Sequence, residues 1–280
     1  MTNAILAQAP SNAPDLAAIK RRQQVTWSSG DFAVVASRIQ FVAEQLAETA
    51  TLRPGWRVLD IATGSGNAAI AAARSGCSVT GVDYVPSLLE TGRARVAAEG
   101  LDVTLREGDA EALPVETASF DAVLSVFGVM FAPDQPTAAA ELVRSVKSGG
   151  TIGLASWTPQ GFIGQMFRTI AKHVPPPAGL ASPMRWGDPE ALRELLGPNV
   201  EVTQSVVRNC MFRFRTAGEF VTFFRRWYGP TLKAFESLDA DGKLGLEHDL
   251  THLAARWNSS TDHSTVTIPA AYLETIAIKK

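Results

Sequence analysis

The chain is poor in the residues that settle many functions by themselves. It has two cysteines in 280 residues, Cys77 and Cys210. They stand far apart without metal-ligand spacing, which excludes a disulfide framework and leaves reduced, partly buried thiols. Neither charge dominates: 26 basic and 28 acidic residues give a net charge of −2. That balance offers no electrostatic footprint for nucleic acid or an anionic membrane surface. No apolar run approaches the roughly 18 residues that a membrane helix needs. The opening MTNAILAQAPSNAP has neither a basic start nor a long apolar stretch, so it reads as a disordered tail and the protein as cytoplasmic.

What is present is a large apolar fraction, 46%, enough for one sizeable core. Strand-length apolar runs cover 57–62, 78–83, 102–108, 120–127 and 151–157, with helical patterns between them that end near glycines, the last over 135–150. This alternation predicts an α/β fold with a doubly wound, mostly parallel sheet, whose ligands bind outside the carboxyl ends of the strands. Past residue 158 the rhythm changes. Helices are predicted over 161–174, 188–197, 216–237 and 241–258, and strands over 200–214 and near the C-terminal TVTIPAAYLETIAI. The organisation is therefore read as an N-terminal tail and lid (1–40), a cofactor-binding core (41–158), and helical lid insertions with the last two strands (159–280).

The stretch RVLDIATGSGNAAIAAARSGCSVTGVD, residues 57–83, contains Gly64, Gly66 and Ala69 in a G-x-G-x-x-G/A pattern, with Asp83 following Gly64 by 19 residues. Such a loop gives a tight turn, a close backbone approach and an acid for ribose hydroxyls, and by itself it fits a dinucleotide too. Three features favour one nucleoside with an amino-acid tail. Asp60, inside the strand end, suits an ammonium and is an awkward neighbour for a pyrophosphate. Asp109 beside the Ala110 backbone N–H matches the donor N6 and acceptor N1 of adenine. Ser125, Phe127 and Gly128 form the turn where a reactive end would meet its substrate. A short-chain dehydrogenase would need Tyr-x-x-x-Lys, yet Tyr84, Tyr228 and Tyr272 are followed four positions on by Leu88, Leu232 and Ile276. Other dehydrogenase classes stay open.

VLDIATGSGNAAI, VTGVD, GDAEALP, FDAVLSVFGVMFAPD and ELVRSVKSGGTIGLASW, in this order, resemble a class I S-adenosylmethionine-dependent methyltransferase. Within that family they resemble the ubiquinone/menaquinone C-methyltransferase-like branch, methyltransferase type 11. The resemblance covers about residues 40–160. It implies a Rossmann-like seven-stranded sheet with added helices forming a substrate lid, and S-adenosyl-L-methionine as cofactor. It places Asp60, Ala62, Gly64 and Gly66 around the methionine end, Asp83 on the ribose hydroxyls with Tyr84 beside it, Asp109 and Ala110 on adenine, and Ser125 near the methionine or transfer site. Ala62 departs from the glycine usual at that loop position and is tolerated if its φ is negative. Asp83 is expected to be exposed and to contribute little to stability without cofactor; its alternative role is to cap the helix near Pro86.

Methyl transfer from a sulfonium is an in-line displacement in which alignment alone can supply roughly 7–11 kcal/mol. Only acceptors such as carbon acids, phenols or protonated amines need a base. His173 is the candidate base, with a helix-end histidine favoured by the macrodipole as its alternative. His248 and His252 share a helix face but show no third ligand, so no metal is expected; His263 is the remaining histidine. Residues 211–235 carry six phenylalanines with Trp227 and Tyr228. Phe220, Phe223, Phe224 and Trp227 at helical spacing are core packing or the wall of an apolar acceptor pocket. Trp27 and Ser28 form a lid over the cofactor, or else the region is a helix start capped at Ser29 or Asp31. Lys20-Arg21-Arg22 and Arg225–Arg226 read as solvated faces. The expected function is methyl transfer to a small, apolar or aromatic molecule, with no nucleic-acid or membrane partner and homo-oligomerisation left open. The alternatives are an NAD(P)-dependent oxidoreductase and a non-catalytic nucleoside-cofactor-binding protein.

Overall fold

A computed structural model describes residues 14–262 and 264–280; residues 1–13 of the expected 14-residue tail, and His263, lie outside them. Five parallel strands, β1 (Arg57–Ile61), β2 (Ser78–Asp83), β3 (Val103–Glu107), β4 (Phe120–Val126) and β5 (Val146–Trp157), are joined by β6 (Val200–Phe214) and β7 (Val266–Lys279). The sheet order is β3-β2-β1-β4-β5-β7-β6, and β7 runs antiparallel to both neighbours. The chain moves outward from β1 to β3 and then returns to β4 on the other side of β1. This is the topological switch point at which α/β sheets bind ligands.

Local chemistry accounts for the elements. In β1 the residues after Arg57 are buried throughout, as a parallel strand covered on both faces requires. α2 (Phe32–Thr49) is capped by Asp31, whose side chain accepts from the Ala33 N–H, and it buries Val35, Ile39, Val42 and Leu46 against the sheet. α3 (Asn67–Arg74) follows the glycine loop. α4 (Pro86–Glu99) has Pro86 in its first turn and ends at Gly100 in the left-handed conformation, the expected asymmetry of helix ends. α1 (Leu16–Trp27) precedes α2, and α5 (Gln135–Ser145), α6 (Phe162–His173) and α7 (Pro189–Leu196) fill the later crossovers. β6 and β7 extend the same sheet, and one buried cluster runs from Val35 to Ala277. α2 spans the boundary placed at residue 41. No helix among the described residues is long and apolar enough to cross a membrane.

Two elements differ from the sequence expectation. The helix expected over 135–150 stops at Ser145, because Val146 is extended and opens β5. The single helix expected over 216–237 is two, α8 (Ala217–Trp227) and α9 (Gly229–Glu236), with Tyr228 extended between them. Pro230 cannot continue the α8 hydrogen-bond ladder. A Cβ on Gly229 would lie 2.0 Å from the Thr26 carbonyl oxygen, so glycine is what lets α1 reach this break. α10 (Ala240–Arg256) completes the helical layer.

Candidate active site

At the carboxyl ends of β1 and β4, two non-glycine residues sit in the left-handed region: Ala62 at φ 54° and Phe127 at φ 54°. Such a conformation costs roughly 1–2 kcal/mol for an L-residue, and strain of this kind clusters at functional sites. The condition on which alanine is tolerated in the loop, a negative φ, is not met at Ala62. A Cβ on Gly128 would lie 2.4 Å from the Ala62 carbonyl oxygen, so the two turns touch and only glycine fits there.

A cavity of about 940 Å³, counted to its mouth, opens between these turns, the ends of β2 and β3, and α1. Three acids from successive neighbouring strands face it. Asp60, at the end of β1, is buried, and its Oδ2 accepts from the Thr63 hydroxyl at 2.5 Å and from the Ala69 N–H at 2.9 Å. Burial pushes its carboxyl up to about 7 against those hydrogen bonds, and the Asp83 charge adds to the rise. Asp83, ending β2, accepts from the Gly64 N–H at 2.8 Å and from the Val85 N–H at 2.9 Å. Burial pushes it up to about 6 despite these backbone donors. It is buried, not the exposed strand-end acid expected, and it ties the glycine loop to the start of α4. Asp109, just past β3, accepts from Lys20 Nζ at 2.6 Å and from the Glu111 N–H at 2.9 Å. Lys20 also pairs with Glu111. Burial works against the Lys20 charge, but the two carboxylates outweigh it and hold the ammonium pKa above its ordinary value.

Of the residues singled out in the sequence, Trp27, Asp60, Ala62, Gly64, Asp83, Tyr84, Asp109 and Ala110 line this cavity, whereas Ser28, Gly66, Ser125 and His173 do not. The Ser28 hydroxyl donates to the Gln24 carbonyl at the end of α1. Gly66, at φ 88°, starts α3 beneath the loop and faces Ile70 and Gly92. The Ser125 hydroxyl donates to the Ile61 carbonyl and accepts from the Val129 N–H, so it fastens the β4 turn to β1 instead of meeting a ligand. His173 ends α6 with Nε2 2.9 Å from Asp249 Oδ2 of α10. This hydrogen bond joins the end of α6 to α10, and His173 lines neither cavity. His248 and His252 are both exposed on α10, and no three metal-ligating side chains cluster among the described residues.

A second, smaller and largely filled cavity, about 350 Å³ when all the space out to its mouth is counted, adjoins the first, and Trp27, Phe32, Ile39, Phe127 and Phe131 line both. Its remaining walls are Val35, Trp157, Ile163, Phe212, Phe224 and Tyr228. Phe127 stacks flat on Trp157 with ring centres 3.7 Å apart. Tyr228, set here by the α8–α9 break, is buried, which pushes its hydroxyl pKa well above the ordinary tyrosine value. Phe223 and Trp227, for which the sequence leaves core packing and an acceptor wall both open, do not line it; Phe223 packs in the core on Phe214 and under the Arg38 guanidinium.

Sequence reasoning missed Lys20 and Gln23, which line the first cavity from α1. Stepping back from Trp27 by helical spacing reaches both, whereas the run of three basic residues concealed Lys20. It also missed Arg95 of α4, which donates to the Ser65 carbonyl, Asn67 Oδ1 and Gln40 Oε1 and holds the glycine loop from behind.

Sheet order, switch-point cavity and the row of acids define a nucleoside-binding enzyme of Rossmann-like type. Residues 58–150 match the family described as methyltransferase domain. Over 244 residues the chain is 40% identical to an uncharacterized protein of Mycobacterium tuberculosis, covering 83% of this chain and 87% of that one. It is 38% identical over 127 residues to the demethylmenaquinone methyltransferase of Deinococcus radiodurans, covering 44% and 53%. The YcgJ protein of Bacillus subtilis shares the fold with a TM-score of 0.58 at 20% identity, over 85% of this chain and 97% of that one. A geranyl diphosphate methyltransferase in complex with SAM does so with a TM-score of 0.51 at 20% identity, over 86% and 85%. The chain belongs to the class I S-adenosylmethionine-dependent methyltransferases. S-adenosyl-L-methionine is its cofactor, and the oxidoreductase and non-catalytic alternatives fall away.

Proposed function

We propose that the enzyme methylates a small apolar or aromatic molecule held in the second cavity. The observation that carries this reading is the shared wall: an all-apolar or aromatic chamber opens beside the cofactor cavity across Trp27, Phe127 and Phe131. Specific pockets are mostly apolar with a few placed polar groups, and here the Tyr228 hydroxyl is the one ionisable group in the wall. The cofactor fits the first cavity because neighbouring strand ends are about 4.8 Å apart, so acids on β1, β2 and just past β3 make a row along an extended ligand. Asp60 faces the ammonium, Asp83 the ribose hydroxyls, and Asp109 with the Ala110 N–H the adenine edge.

The cofactor brings an already activated methyl group. The residues of this chain bind, align and exclude water, the contributions that an in-line displacement requires. The demethylmenaquinone methyltransferase named above carries a quinone-type acceptor in its name, which accords with an aromatic chamber. The test is methyl transfer from labelled cofactor to two acceptor panels, one of naphthols, phenols and aryl thiols, the other of polar amines and amino acids. Transfer confined to the first panel is expected, and turnover of the polar panel alone would overturn the reading. His173 has no part in it.

A further inference from the structure

α1 lies across the mouth of the cofactor cavity and presents Lys20, Gln23 and Trp27 to it from one face. Two amides fasten the helix to opposite walls. Gln24 Nε2 donates to the Tyr84 carbonyl at 2.6 Å beside β2, and Gln23 Nε2 donates to the Phe131 carbonyl at 3.1 Å beyond β4. Because a carbonyl accepts only, the second bond fixes the Gln23 amide with Oε1 as its free acceptor end. That oxygen is buried and has no hydrogen-bond partner. Seven such buried side-chain atoms occur among the described residues, and Gln23 Oε1 alone belongs to a residue of the cofactor cavity. A buried acceptor without a donor is costly, and native structures rarely tolerate one without cause.

Resting on the reading of this cavity given above, we propose that Gln23 Oε1 binds the cofactor, accepting an N–H or O–H from its nucleoside half. Lys20 and Trp27 are donors without acceptor capacity, so Gln23 supplies the acceptor on the inward face of α1. The helix crosses between Tyr84, next to Asp83, and the Asp109–Glu111 pair that Lys20 holds. Lys20 and Gln24, on either side of Gln23 in sequence, make these contacts at the ends of β2 and β3, where that reading places ribose and adenine. The available donors are therefore the ribose hydroxyls and the adenine amine. α1 is then part of the binding site, completed when the cofactor arrives.

Gln23→Leu and Gln23→Glu separate this role from the latch to Phe131. Both remove the Nε2 donor, but only Gln23→Glu keeps an acceptor at Oε1. Calorimetric titration with S-adenosylhomocysteine and with 5′-methylthioadenosine, per folded molecule from apo melts, reads the difference. Gln23→Leu should weaken both ligands by roughly three- to tenfold, and Gln23→Glu should stay within about twofold of the parent. Equal losses in the two variants would overturn the proposal in favour of a latch. So would a Gln23→Leu loss seen with S-adenosylhomocysteine alone, or no loss at all. Asp83→Ala separates the two readings: weakened by Asp83→Ala yet unchanged by Gln23→Leu, binding would discard Gln23 and keep the cavity. Unchanged in both variants, it would discard the cavity as well.

Discussion

Asp83 combines two tasks in one carboxylate. Its oxygens accept from the Gly64 and Val85 N–H groups, and the same side chain faces the cofactor cavity. Asp83→Ala should weaken S-adenosylmethionine binding by roughly 10- to 150-fold, the worth of about 1.5–3 kcal/mol of hydrogen bonding to a charged group. It should also lower apo stability in denaturant melts by about 1–3 kcal/mol, because two backbone donors lose their acceptor. Unchanged affinity with lowered stability would leave Asp83 a purely structural acid. Asp60 and Asp83 also predict a pH dependence. Burial raises both from 3.8, to about 7 and about 6, so the folded apo protein holds protons that the unfolded chain has released. Apo stability should therefore fall as pH rises from about 4 to about 7 and then level off. An ammonium beside Asp60 favours its ionised form, so cofactor affinity should rise with pH towards about 7, with proton release on binding. Calorimetry in buffers of different ionisation enthalpy detects that release, and flat affinity between about pH 5.5 and 7.5 would show that Asp60 is not engaged.

At the scale of elements, the proposed reading rests on α1, which lines the first cavity, and on the α8–α9 break, which sets Tyr228 in the wall of the second. α1 buries Ile19 as its one fully covered side chain and is fastened by Trp27 against Phe32, Phe131 and Tyr228 and by the polar contacts of Lys20, Gln23 and Gln24. The polar contacts are the part of its hold that salt can loosen. Lys20→Met should speed cofactor release about fivefold in stopped flow, since a part-exposed ion pair contributes about 1 kcal/mol, and should leave release less sensitive to salt. An unchanged release rate would mean that α1 does not gate the cavity. On α8, Phe224 lines the second cavity and Phe223 does not. Phe224→Ala should raise the acceptor KM at constant cofactor affinity. Phe223→Ala should cost about 3–5 kcal/mol of stability at most, as buried Phe→Ala changes do, with activity per folded molecule retained. Equal kinetic effects would place the acceptor elsewhere.

For the whole molecule, one sheet and the main buried cluster that spans it should couple the cofactor cavity to global unfolding. S-adenosylhomocysteine at about 100 times its Kd should stabilise the fold by ~2.7 kcal/mol, measured as a shift of the denaturant midpoint. NADH and NADPH should give no shift. Stabilisation by the nicotinamides alone would contradict the assigned cofactor. Because β6 and β7 pair along their whole lengths and β7 pairs with β5, the C-terminal half should not melt before the cofactor core. A single cooperative transition is expected by circular dichroism and tryptophan fluorescence together.

The strands of the core, the glycine loop and the acids Asp60, Asp83 and Asp109 were legible in the sequence, because each is dictated locally. Apolar runs make buried parallel strands, left-handed turns want glycine, and an acid closing a strand stands at the ligand edge by topology alone. Pro230 equally marked the end of α8, although the helical period ran through it. What a side chain does after its element is placed depends on partners distant in sequence, and those only the tertiary structure decided. Ser125 looked like a site hydroxyl until Ile61 and Val129 took both of its hydrogen bonds. His173 looked like a base until the packing of α6 against α10 gave it Asp249. Lys20 looked solvated until α1 folded across β3 and brought it to Asp109, 89 residues away. Which of Phe223 and Phe224 faces the second cavity is likewise a matter of how α8 is rotated against β6. That rotation is set by long-range packing, for which the local sequence carries no signal.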